Sequence, residues 1–127
     1  LAAGCAFDGR GQAIAGMGVA CEDLDSDGRM DLLVSNIRGQ SHLALLNSGG
    51  RFRDASSKLG VAQWSMGPTG FGLVLFDADL DGELDGYVAN GAVSSPANAV
   101  PGASPYAERD QFFGWREGRF VDRSAEA

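Results

Sequence analysis

Asp23-Leu24-Asp25-Ser26-Asp27-Gly28-Arg29-Met30-Asp31 decides how the rest of this chain is read. Its pattern, D-x-D-x-D-G-x-h-D with h apolar, returns as Asp77-Ala78-Asp79-Leu80-Asp81-Gly82-Glu83-Leu84-Asp85. Four carboxylates in so short a span repel one another unless a cation sits among them. Glycine at the sixth position lets the backbone turn sharply enough for them to converge. Neither loop contains cysteine or histidine, which argues against zinc. The pattern predicts a hard, oxygen-loving cation, calcium before magnesium or manganese. Asp23, Asp25, Asp27 and Asp31 are the expected side-chain ligands of the first site, with the backbone carbonyl of Arg29. Asp77, Asp79, Asp81 and Asp85, with the Glu83 carbonyl, are the expected set of the second. A carbonyl ligand at the seventh position explains how Arg29 and Glu83 can differ so freely.

An EF-hand is the obvious competitor. It needs a bidentate Glu at the twelfth position and a helix on each side, but the twelfth positions here are Val34 and Val88. The segments that follow the loops, Asp31–Asn36 and Asp85–Asn90, read as strands. The other competitor is a pair of Asp-Gly turns on a solvated edge. Two such loops in one register weigh against it.

The repeat extends beyond the loops. Gly16-Met17-Gly18 precedes the first as Gly70-Phe71-Gly72 precedes the second, and Asn36 and Asn90 close the strands that follow. Gly50-Arg51-Phe52-Arg53-Asp54-Ala55-Ser56 matches Gly118-Arg119-Phe120-Val121-Asp122-Arg123-Ser124 at a larger offset. Extra residues therefore lie in an inserted loop at about 91–107. Gly60-Val61-Ala62 aligns with Gly4-Cys5-Ala6, so the expected units are residues 1–59 and 60–127.

These residues resemble FG-GAP/VCBS-type repeats, nearest in flavour to the group of cartilage acidic protein-like and ASPIC/UnbV proteins. The resemblance runs over nearly the whole chain. It implies a β-propeller whose blades each carry calcium in an early inter-strand loop, as in integrin α-subunit heads. Gly86 departs from the pattern where an apolar strand residue is usual, and Gly114-Trp115-Arg116 replaces an Asn-rich turn. Both departures are expected to loosen the second blade without touching its metal loop.

The strand pattern leads independently to an all-β fold of two four-stranded antiparallel blades. Apolar or alternating runs fall at Val19–Cys21, Leu32–Ser35, Leu43–Leu46 and Phe52–Ala55, then at Leu73–Phe76, Tyr87–Ala89, Gln111–Trp115 and Arg119–Val121. Nineteen glycines suit a chain of tight turns, and no helical period persists. Only Ala55–Leu59 suggests one turn of helix. Propellers need about four to eight blades, and one blade cannot bury its faces alone. Two blades cannot close a ring. The expectation is a fragment of a longer chain, or a unit completed by further blades of the same chain or by copies of itself.

Composition speaks to compartment. Of seventeen acidic residues, eight are the aspartates of the two loops, so the net charge of −7 mostly reflects metal sites. No basic stripe exists for nucleic acid, and no apolar run is long enough for membrane insertion. Roughly millimolar calcium outside cells fills modest-affinity sites. An extracellular, secreted or surface-displayed protein is expected. Leu1-Ala2-Ala3-Gly4-Cys5 is similar to a bacterial lipoprotein box, but its register opposite Val61 points to a small buried residue. Cys21 takes the register of Leu75, a core strand position. Cys5 and Cys21 are either two buried thiols or one disulfide.

Catalysis finds no constellation. His42 is the sole histidine, without a partnered serine or acid, and reads as a surface or strand-edge residue. Asp54 and Asp122 precede Ser56 and Ser124 at a turn-capping spacing. Gly9-Arg10-Gly11 lacks the lysine and helix of a phosphate loop. Phe52 and Phe120 are expected in the core. Trp64, Tyr106, Phe112, Phe113 and Trp115 are either buried or available to a protein or glycan ligand. The expected role is a calcium-binding extracellular propeller module for binding, adhesion or scaffolding, and not an enzyme. The alternatives are a self-assembling ring or filament unit, and a non-catalytic part of a polysaccharide-acting propeller enzyme.

Overall fold

A computed structural model describes residues 3–94 and 104–126. They fold into two four-stranded antiparallel sheets, each a meander in chain order. The first holds β1 (Gly18–Glu22), β2 (Asp31–Ser35), β3 (Leu43–Asn47) and β4 (Phe52–Asp54). The second holds β5 (Gly70–Phe76), β6 (Asp85–Asn90), β7 (Gln111–Arg116) and β8 (Arg119–Asp122). The all-β expectation of two four-stranded blades is met, and the architecture is consistent with propeller blades.

Cross-strand partners share a face, so the register assigns the core. Ala20 lies opposite Leu33, and Leu33 opposite Ala44. These residues, with Leu46, form the face of the first sheet that turns toward the second. Leu73, Leu75, Val88, Phe113 and Phe120 answer from the second sheet and join the same apolar cluster. β1 and β5 run side by side so closely that a Cβ on Gly18 would lie 2.5 Å from the Phe71 carbonyl oxygen. Glycine at that position is what permits the approach. An aromatic ladder fills the wedge between the sheets. Trp64 stacks on Phe113 at 4.7 Å, and Phe113 meets Phe120 edge-on at 5.2 Å. Trp115 meets Phe120 at 4.8 Å. Each fully buried phenyl group contributes about 2–3 kcal/mol of apolar transfer.

Several expectations are corrected. Leu75 is buried, but Cys21, at the same register, is exposed. The cause is stacking order. Leu75 faces the first sheet, whereas Cys21 and its neighbour Val19, 62% exposed, lie on the face turned away from the second. Cys5 is half-buried, and both thiols are free, so neither the disulfide nor the pair of buried thiols is found. Phe52 is only half-buried at the edge strand β4, while Phe120 is in the core as expected.

His42 is not at the surface but 1% exposed. Its backbone N–H donates to Ser65 Oγ at 2.9 Å, and its Nδ1 accepts the Asn36 N–H at 3.1 Å. Burial lowers its pKa to about 4. The polar sequence neighbours Ser41 and Arg38 hid this, because the covering residues Ser65 and Trp64 come from the connection to the second sheet.

Gly86 does not loosen the second sheet. A Cβ there would sit 2.1 Å from the Phe113 ring, so glycine makes room for the largest side chain of the core. Leu32 and Leu45 hold the equivalent pair of positions in the first sheet. Gly114-Trp115-Arg116 continues β7 instead of turning. In the connection, Leu59 N–H closes one helical turn on the Ala55 carbonyl at 2.8 Å, and a short 3-10 helix follows at Val61–Gln63. The Asp-x-Ser pairs do cap turns, with Ser56 and Ser124 N–H each donating to the preceding aspartate at 2.8 Å. The expected inserted loop is pinched at its base by the Gly91–Ala107 bridge. Its residues 95–103, like Leu1 and Ala2, lie outside the described residues.

Candidate metal centre

The β1–β2 and β5–β6 connections are the two acidic loops, and they fold alike. Asp23 accepts the N–H groups of Asp27 at 3.0 Å and Gly28 at 2.8 Å. Asp77 accepts those of Asp81 at 3.1 Å and Gly82 at 2.9 Å. Arg29 N–H donates to Asp27 and Glu83 N–H to Asp81, both at 2.9 Å. Gly28 and Gly82 take left-handed φ of 83° and 87°. The fourth position is left-handed too, at Ser26 (59°) and Leu80 (62°). For Leu80, which is 87% exposed, that conformation costs about 1 kcal/mol with no packing to offset it. The pattern itself gave no signal of this fourth-position demand.

Carboxylate oxygens of Asp23, Asp25 and Asp27 lie within 4.8 Å of one another. So do those of Asp77, Asp79 and Asp85. The two trios are not the same three positions. In the first loop the ninth residue, Asp31, is fully buried, and both its oxygens accept backbone N–H groups, from Leu24 at 2.9 Å and Asn47 at 2.7 Å. Among the described residues Asp85 accepts one, from Ala78 at 3.0 Å. Asp85 is thereby free to turn into the cluster, and Asp81 stands outside it. Asp31 keeps unused lone pairs, so both ninth residues retain acceptor capacity. The Arg29 guanidinium pairs with Asp27, and its Nε donates to the Asn47 carbonyl at 2.8 Å. Glu83 is exposed at the loop tip.

Electrostatics agree with the crowding. Asp25 has its pKa raised, first by desolvation and then by repulsion from Asp27, Asp31 and Asp23. Guanidinium groups supply countercharge, Arg29 on the first loop and Arg116 and Arg123 near Asp79 and Asp81 of the second. A cavity of about 210 Å³ separates the loops, lined by Asp23, Asp25, Glu83, Trp115 and Phe120 among others. Trp115 thus belongs to the site's surroundings, which its non-repeating position in the sequence concealed. Of the other aromatics, Tyr106 is 53% exposed and Phe112 half-buried.

Comparison with known proteins agrees with this geometry. The sequence model of a family described as FG-GAP-like repeat matches residues 23–88, from the first aspartate of one loop to the strand beyond the other. No curated protein and no solved structure matches the chain. Among the described residues, no helix is long and apolar enough to cross a membrane.

Proposed function

The chain belongs to the FG-GAP-like repeat family, and from that premise we propose a calcium-binding extracellular propeller module whose metal loops rigidify one end of each blade. The observation that carries the reading is the duplicated loop, with three converging carboxylates at the same place in two sheets. The donors are hard oxygens, they crowd against one another, and both ninth-position aspartates retain lone pairs. Such a set fits calcium. Asp23, Asp25, Asp27 and Asp31 would hold one ion and Asp77, Asp79, Asp81 and Asp85 the other, with the Arg29 and Glu83 carbonyls. Bound calcium supplies structural countercharge. The residues themselves orient the loops through the aspartate–N–H bonds described above.

Modest affinities suit the calcium level outside cells, which supports an extracellular setting. The role is binding, adhesion or scaffolding, carried by blade surfaces and loops, with a protein or glycan as ligand. Calcium added to chelator-treated protein should raise the melting temperature by linkage. An unchanged melting temperature would sink the reading.

The outer faces support a second element of the proposal, that further blades of the same chain or copies of it complete the stack. Val74, Phe76 and Tyr87 are 48%, 41% and 38% exposed on the second sheet. Their register equivalents in the first sheet include Ala20 and Leu33, which meet a neighbouring blade. A monomer of constant mass at all concentrations, its apolar faces bare, would count against copies as the partner.

A further inference from the structure

The two loops share a pattern but not a surrounding. Arg116 lies 3.6 Å from both Asp79 and Asp81, and Arg123 lies 3.9 Å from Asp79. At the repeat offset that aligns Gly118 with Gly50, Arg116 stands opposite Ser48 and Arg123 opposite Ala55. The first repeat has no such cations.

Arg123 is held in place by its environment. Its side chain crosses Gly114, where a Cβ would fall 3.0 Å from Arg123 Cδ and 2.8 Å from Asp85 Oδ1. The first repeat carries Leu46 at that position, buried as Asp31 is. The Arg123 guanidinium also lies 5.8 Å from the Phe112 ring centroid, and its Nε donates to Glu126 at 2.9 Å. Glycine at 114 and arginine at 123 therefore form one arrangement, which brings positive charge against the second acidic loop. Among the described residues the first loop has one arginine against two, Arg29, a residue of the loop itself that pairs with Asp27 and is about as exposed as Arg116, 48% against 41%.

We propose that Arg116 and Arg123 are built-in countercharges of the loop 77–85, which hold it closed without metal and lower its affinity for a divalent cation below that of the loop 23–31. This rests on the cation-binding reading above. A guanidinium must withdraw or be screened when a divalent ion enters a few ångströms away. In a water-like, salt-screened medium the summed repulsion of the two guanidinium groups amounts to about tenfold in affinity. The chain would then fill its loops in order, the first at lower calcium.

Calcium titration of chelator-treated full chain tests this. Asp79→Asn isolates the first loop and Asp25→Asn the second, and the heats give each affinity. The expected result is a first loop about tenfold tighter than the second. Arg116→Gln with Arg123→Gln should raise the affinity of the second loop about tenfold and leave the first unchanged. The same variant should melt at a lower temperature than the parent when calcium is absent. Should the double variant fail to fold, Arg116→Gln alone should move the second loop in the same direction. Equal loops in the parent, or a second loop unmoved or weakened by losing its arginines, would overturn the proposal. Silence from both loops in the parent would remove the cation reading itself, an outcome distinct from an arginine variant that merely shows no change.

Discussion

Acid should unfold this chain through His42. The side chain is buried, its Nδ1 is committed to the Asn36 N–H, and its Nε2 has no hydrogen-bond partner among the described residues. Trp64 covers it at 6.0 Å, edge to face, and Ser65 takes its backbone N–H. None of these groups is a carboxylate that could stabilise an imidazolium. Burial accordingly lowers the pKa from 6.5 to about 4. A depressed folded-state pKa means that the unfolded chain takes up the proton first. The stability contributed by neutral His42 is complete above the unfolded pKa of 6.5 and is lost as pH falls through about 4. One proton over that interval corresponds to about 3 kcal/mol, a large share of a small domain's stability. The perturbation is His42→Asn, whose side-chain oxygen can accept the Asn36 N–H but cannot titrate. Urea unfolding of both proteins across the acid range, with calcium chelated throughout, gives two stability curves. Loop carboxylates affect both alike, so the difference between the curves isolates His42. The parent should lose about 3 kcal/mol relative to the variant on going from neutral pH to about pH 4. Parallel curves would refute the reasoning and place His42 in contact with water.

Other substitutions read other parts of the fold. Gly86→Ala drives a methyl group into the Phe113 ring and should cost about 2–3 kcal/mol in urea unfolding, whereas a mobile ring would leave it neutral. Leu80→Gly should stabilise the chain by about 1 kcal/mol, because it relieves a left-handed backbone at an exposed leucine, and a destabilised variant would contradict the strain. A thiol reagent should modify Cys21 rapidly in the folded chain, since its face of the first sheet is open, and protection of Cys21 would signal that another blade covers it.

Much of the acidic-loop geometry and strand order was legible because both rest on local chemistry. Carboxylate spacing and the sixth-position glycine act within nine residues, and alternating Leu33, Ala44 and their neighbours carry the strand period. What escaped depends on which face meets the other sheet. Cys21 and Leu75 occupy one register, yet only Leu75 is covered, and no sequence pattern tells which blade has a neighbour on which side. Gly86 read as a defect because its partner, Phe113, lies in a strand beyond the inserted loop. His42 read as exposed because its cover, Trp64 and Ser65, lies outside its own sheet. The different trios of the two loops likewise involve a bond from beyond the loop, the Asn47 backbone N–H that Asp31 accepts and that has no counterpart at Asp85 among the described residues.

Calcium stoichiometry bears most directly on the central claim. Isothermal titration of calcium into chelator-treated chain should give two ions bound per chain, with Asp25→Ala and Asp79→Ala each removing one and leaving the other. No calcium-dependent heat, or a stoichiometry untouched by both substitutions, would contradict the account of these loops as metal sites.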